Sequence, residues 1–63
     1  MAWRDYIERL KKEYIGRMVW FEGQKYLIVK VDYNGIIHIN KPSEHNLTTA
    51  VYMPHEARER LVR

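Results

Sequence analysis

A chain of 63 residues makes one domain near the lower limit of independent folding, a size that buries only about 60% of its unfolded surface and leaves little room for an internal active-site cavity. It has no cysteine and so none of the disulfide staples of small secreted domains. Its 11 basic and 8 acidic residues give a net charge of +3, but the two signs are interleaved along the chain rather than gathered in a block. Arg4, Asp5, Glu8 and Arg9 break up any signal-peptide core, and no apolar run approaches the ~18 residues of a membrane span. The cytoplasm is the expected address and the membrane is not an expected partner.

The spacing predicts a helix over 2–15. Trp3, Tyr6, Ile7, Leu10 and Tyr14 line one helical stripe. On the opposite face Asp5 and Arg9, and Glu8 and Lys12, stand four apart with the acid first. Gly16 is the expected stop.

Residues 17–53 read as sheet. A first strand runs over about Arg17 to Phe21 and a second over about Lys25 to Asp32, with Glu22-Gly23-Gln24 between them. Asn34-Gly35 marks a hairpin. A two-residue loop there would mix apolar and polar residues on both faces. A three-residue loop of Tyr33, Asn34 and Gly35 instead pairs Val31 with Ile37 and Val29 with Ile39, which places all four on one face. Because a slip of one residue flips every side chain, the longer loop is preferred, with Gly35 left-handed. The other face then shows Ile28, Lys30, Asp32, Ile36, His38 and Asn40. Ser43-Glu44-His45-Asn46 reads as a loop, Leu47 to Met53 as a fourth strand, and 54–61 as a short helix opened by Pro54, with Ala57 and Leu61 facing the core. The expected class is α+β: an amphipathic helix on a small, strongly bent antiparallel sheet of about four strands, closed by a short helical turn.

Gly16-Arg17-Met18-Val19, Phe21-Glu22-Gly23-Gln24-Lys25-Tyr26 and Val31-Asp32-Tyr33-Asn34-Gly35, followed by a third strand, a loop and a fourth strand, resemble the small SH3-like barrels. KOW-like and Tudor-like modules have this organisation, as do many short phage and plasmid proteins. The resemblance covers about Gly16 to Leu61 and implies a binding role without naming the ligand; the leading helix departs from the minimal barrel. Plasmid-type dihydrofolate reductases share the architecture, but Ala50-Val51-Tyr52-Met53-Pro54 does not reproduce their active-site strand, so that activity is not carried over.

Catalysis requires a nucleophile beside a base, or two carboxylates in separated environments, and neither emerges; Ser43 near His45 has no orienting third group. No enzyme activity and no cofactor are expected. His38, His45 and His55 fall on a strand, a loop and a helical turn, without the spacing of a four-ligand site, so no metal is expected either. Asn46-Leu47-Thr48 matches the N-glycosylation pattern, but without a signal peptide it has no route to that modification.

The candidate binding set is aromatic and basic: Arg17, Trp20, Lys25, Tyr26, Lys30, Tyr33, His38 and Lys41. Aromatic faces stack on bases and cations neutralise phosphate. For Trp20 and Tyr26 the core is the competing and favoured destination, since large aromatics supply much of a small core; Tyr33, at a hairpin tip, is expected exposed. Two functions stay open. One is a nucleic-acid-binding module. The other is a protein-interaction module that docks a partner or a second copy through the helix or through Ile28 and Ile36.

Overall fold

The computed structural model describes residues 2–44 and 47–63. In chain order these form α1 (Trp3–Tyr14), β1 (Met18–Phe21), β2 (Gln24–Val31), β3 (Ile37–Asn40), a 3-10 turn (Pro42–Glu44), β4 (Ala50–Tyr52) and α2 (Pro54–Arg60). The four strands are antiparallel in the order β1-β2-β3-β4 and curl into a half-barrel. The expected α+β class and element order are observed. His45 and Asn46, the candidate ligand and the asparagine of the glycosylation pattern, lie outside the described residues.

The helical stripe buries Ile7, Leu10 and Tyr14 against the concave side of the sheet, where they meet Val19, Tyr26, Ile28, Val31, Ile37, Ile39 and Ala57. At the start of the stripe, Trp3 stays half-exposed, and its indole N–H donates to the Tyr33 carbonyl at 2.6 Å. That bond ties α1 to the β2–β3 hairpin tip. After α1, Gly16 turns left-handed (φ 92°) and its N–H donates to the Ile28 carbonyl, which leads the chain directly into β1.

The β1–β2 connection is tighter than the sequence suggests. Phe21 pairs with Gln24, so only Glu22 and Gly23 form the loop, both at positive φ (49° and 77°). This is the type I′ geometry whose twist matches a hairpin. The β2–β3 loop is the expected longer one. Val31 pairs with Ile37, the Gly35 N–H donates to the Asp32 carbonyl at 3.0 Å, and Gly35 sits at φ 83°.

Beyond that loop the expected register fails at one residue. Val31 pairs with Ile37 and Lys30 with His38, but Ile39 faces Ile28 rather than Val29. Val29 is the extra residue of a β-bulge, where two positions on one strand oppose one on the other. Ile28 therefore joins Val31, Ile37 and Ile39 inside and is fully buried. It does not lie on an exposed patch with Ile36, which is itself half-buried in the hairpin loop.

β4 is also shorter than expected, three residues rather than Leu47 to Met53. The chain before it is held instead by Asn40, which is 1% exposed. Its amide nitrogen donates to the carbonyls of Glu44 and Leu47, and its oxygen accepts from the Lys41 N–H and the Thr49 hydroxyl. Four bonds fill the capacity of an asparagine side chain. After β4, Pro54 opens α2 as expected and Glu56 accepts from the Met53 N–H at 3.0 Å. Leu61 then bridges to Val19, and the Val62 N–H donates to the Met18 carbonyl, so the C-terminal residues cover the free edge of β1.

Candidate nucleic-acid interface

Side chains alternate across a strand and paired residues share a face. From the register, the convex face carries Met18 and Trp20 of β1, Lys25, Leu27 and Lys30 of β2, His38 and the buried Asn40 of β3, and Val51 of β4. Lys25 and Lys30 are five positions apart, and in a regular strand they would point to opposite sides. The bulge at Val29 restores them to one face.

Trp20 is opposite Lys25 and 43% exposed, with the Lys25 ammonium 5.6 Å from its ring centre. That distance lies within cation–π range. Tyr26, one position on, points inward and is 8% exposed, edge-on to Phe21 at 5.2 Å between ring centres. The two aromatics that competed for the core thus divide by strand parity, and Tyr26 is removed from the candidate surface. Lys30 faces His38 across the β2–β3 pair. Arg17 and Lys41 are exposed beyond the ends of β1 and β3, outside the strand register that aligns Trp20 with Lys25. Tyr33 is 72% exposed, but at the hairpin tip, the far end of β2 from Lys25.

His38 sits within a polar relay. Its Nε2 lies 2.9 Å from Asp32 Oδ2 and its Nδ1 lies 3.1 Å from Thr48 Oγ1. An ionised carboxylate only accepts, which assigns the proton to Nε2 and leaves Nδ1 of the neutral ring to accept from the Thr48 hydroxyl. The hydrogen bond from His38 is the largest influence lowering the Asp32 pKa; partial burial opposes it, and the N–H groups of Ile36 and Asn34 add to the lowering. The relay pins the hairpin tip to the segment before β4. Asp32, the acid at the end of this face, is held by the His38 hydrogen bond.

A second cation–aromatic pair was not legible in the sequence. The Arg60 guanidinium lies 5.5 Å from the ring centre of Tyr52, whose hydroxyl donates to the Trp20 carbonyl at 3.1 Å. Tyr52 therefore spans the open side of the half-barrel from β4 to β1 and brings α2 beside Trp20. The contact joins residues 32 apart, Trp20 and Tyr52, and no periodicity within either segment announces it.

A groove of about 420 Å³ lies between α1 and α2, walled by Leu10, Tyr14 and Pro54. Arg9, Glu13, His55 and Arg58 also line it. The Tyr14 hydroxyl, and then Glu13 with an oxygen 3.7 Å from Arg58, raise the Arg58 pKa. Cation and acid are matched here. The only hydroxyls in the lining are the phenols of Tyr6 and Tyr14. Among the described residues no three of His, Asp and Glu are grouped to hold a metal ion, and no helix is long and apolar enough to cross a membrane.

Comparison with protein-family models, with curated proteins and with solved structures finds no match in any of the three.

Proposed function

We propose that this chain is a small, non-catalytic, cytoplasmic binding module of SH3-like organisation, KOW-like or Tudor-like and of phage or plasmid type, and that it engages nucleic acid through the convex face of its sheet. The observation that carries this reading is the half-exposed Trp20 with Lys25 over its ring and Lys30 on the same face. A π-face with one cation beside it and a second further along the same strand face suits a base and the phosphates that follow it. Glu22, in the turn, is the one carboxylate of the β1–β2 hairpin, so few acids oppose a phosphate backbone there.

The alternative, a protein-docking module, draws support from exposed Val51 and Met53 on and beside β4, a strand at the sheet edge. Yet Val51 and Trp20 stand on opposite edge strands with His38, Lys30 and Lys25 between them. The exposed apolar surface of the convex face is therefore broken by polar groups, unlike the contiguous patch of an apolar interface. Fluorescence titration of Trp20 and Trp3 with oligonucleotides decides between the two. Quenching with an affinity that falls as salt rises is expected. No binding to DNA or RNA at about 50 mM salt would overturn the reading and leave protein docking.

A further inference from the structure

Resting on that reading, we infer that the ligand is a single strand and that its path does not stay on the sheet face but crosses the β1 edge from Trp20 to Arg60. Three observations place the path. The Tyr52 hydroxyl bonds the Trp20 carbonyl, so the Trp20–Lys25 and Tyr52–Arg60 pairs are neighbours across one edge of the half-barrel. Arg60 is exposed while Tyr52 is half-buried. The guanidinium of this exposed residue lies 5.5 Å from the Tyr52 ring centre, and a guanidinium plane is a stacking surface for an unpaired base as well as a phosphate donor. Finally, of the two acids on the same short helix, Glu56 is turned back to the Met53 N–H and Glu59 lines the groove towards α1.

The convex curl decides between strand types. Leu61 and Val62 cover the β1 edge at Val19 and Met18, so the strand crosses at the Trp20 end, where it can put one base on the indole and a neighbouring one on the guanidinium. A stacked duplex presents no free base faces to either group. Lys30 and Lys25 then contact phosphates on the approach, and Arg60 supplies a third cationic contact that the flat sheet face would not include. Phe21 packs edge to face with both Tyr26 and Tyr52, and the three serve as the support beneath this track rather than as part of it.

The test uses the full chain and labelled oligothymidylate and oligouridylate, with a duplex of mixed sequence as comparison. Each phosphate contact on a single strand contributes about 0.7 to the slope of log affinity against log salt. Three contacts give a slope of about 2.1, an affinity loss of about 18-fold between about 50 and about 200 mM salt. Arg60→Gln is expected to lower the slope to about 1.4 and to weaken binding about fivefold or more through the lost stacking. Arg60→Lys should keep the slope and lose only the stacking share. Lys12→Gln, on the exposed side of α1, removes the same unit of net charge and serves as the control.

If Arg60→Gln behaves like Lys12→Gln while Lys25→Gln weakens binding, the path over the edge is wrong and the sheet-face reading stands. If the duplex binds as tightly as the single strands, the stacking path is also overturned. If neither single strand nor duplex binds at about 50 mM salt, the reading and the path fall together.

Discussion

Replacing Asn40 by Asp changes one atom in the best-satisfied polar group of the fold. The wild-type amide donates to the carbonyls of Glu44 and Leu47 and accepts from the Lys41 N–H and the Thr49 hydroxyl. The introduced carboxyl keeps both acceptor roles but turns an oxygen towards two carbonyl oxygens, at a site 1% exposed. A buried unsatisfied polar group costs about 1–3 kcal/mol, and more when charged. We expect a loss of about 3 kcal/mol at neutral pH, set against a total stability of about 3–9 kcal/mol for a chain of this length. Only the protonated carboxyl can donate to one of the two carbonyls, so folding raises its pKa above the unfolded value of about 3.9. A raised carboxyl pKa gives stability that is fully present below the unfolded pKa and lost as pH rises through the folded one. The difference between wild type and Asn40→Asp should therefore be smallest near about pH 3 and grow towards pH 7. Urea unfolding followed by the fluorescence of Trp3 and Trp20 measures it. A loss below about 0.5 kcal/mol at pH 7, within the range of ordinary surface substitutions, would refute the burial of this network; so would a difference independent of pH.

The Asp32 carboxyl carries the opposite sign. Its pKa is lowered from 3.8, chiefly by the hydrogen bond from His38, so its contribution is present above the unfolded pKa and lost as pH falls through the folded one. Asp32→Asn should flatten the acid limb of the stability profile below about pH 4, and an unchanged acid limb in urea unfolding would show that the carboxylate is not held by the ring. Glu22 sits at φ 49° in the two-residue turn, a conformation that asparagine tolerates better than glutamate. Glu22→Asn should stabilise the protein by about 0.5–1 kcal/mol, a fraction of the left-handed penalty, seen as a higher urea midpoint at unchanged slope; a lower midpoint would contradict the turn geometry.

How far the sequence carried these features depends on the range of the contacts. The α1 stripe, the Gly16 stop, the three-residue loop ending at Gly35 and the Pro54 start all follow from neighbours within a few positions, and each is observed. The bulge at Val29 is different. Leu27, Ile28 and Val29 are all apolar, so the positions before Lys30 do not mark where the alternation shifts, and the choice falls to the partner strand. The separation of Trp20 from Tyr26 rests on the β1–β2 register, set by the two-residue turn at Glu22 and Gly23. The ties made by Asn40 and Tyr52 run through side chains to distant backbone, which no periodicity encodes.

The bulge also links the core to the candidate surface. In a regular β2 the inward set beginning at Tyr26 and Ile28 would continue to Lys30, burying a cation and sending Val31 outward. With Val29 as the extra residue, the inward set becomes Tyr26, Ile28 and Val31, and Ile39 gains Ile28 as its partner. The same shift turns Lys30 outward to the face that already holds Lys25. Burial of Val31 therefore suffices to explain the bulge, and the placement of two lysines on the face that holds Trp20 follows from it without any selection for charge. The binding measurement has independent force for this reason: packing accounts for where the lysines point, and only a salt-dependent affinity lost on Lys25→Gln would show that the face they share is used.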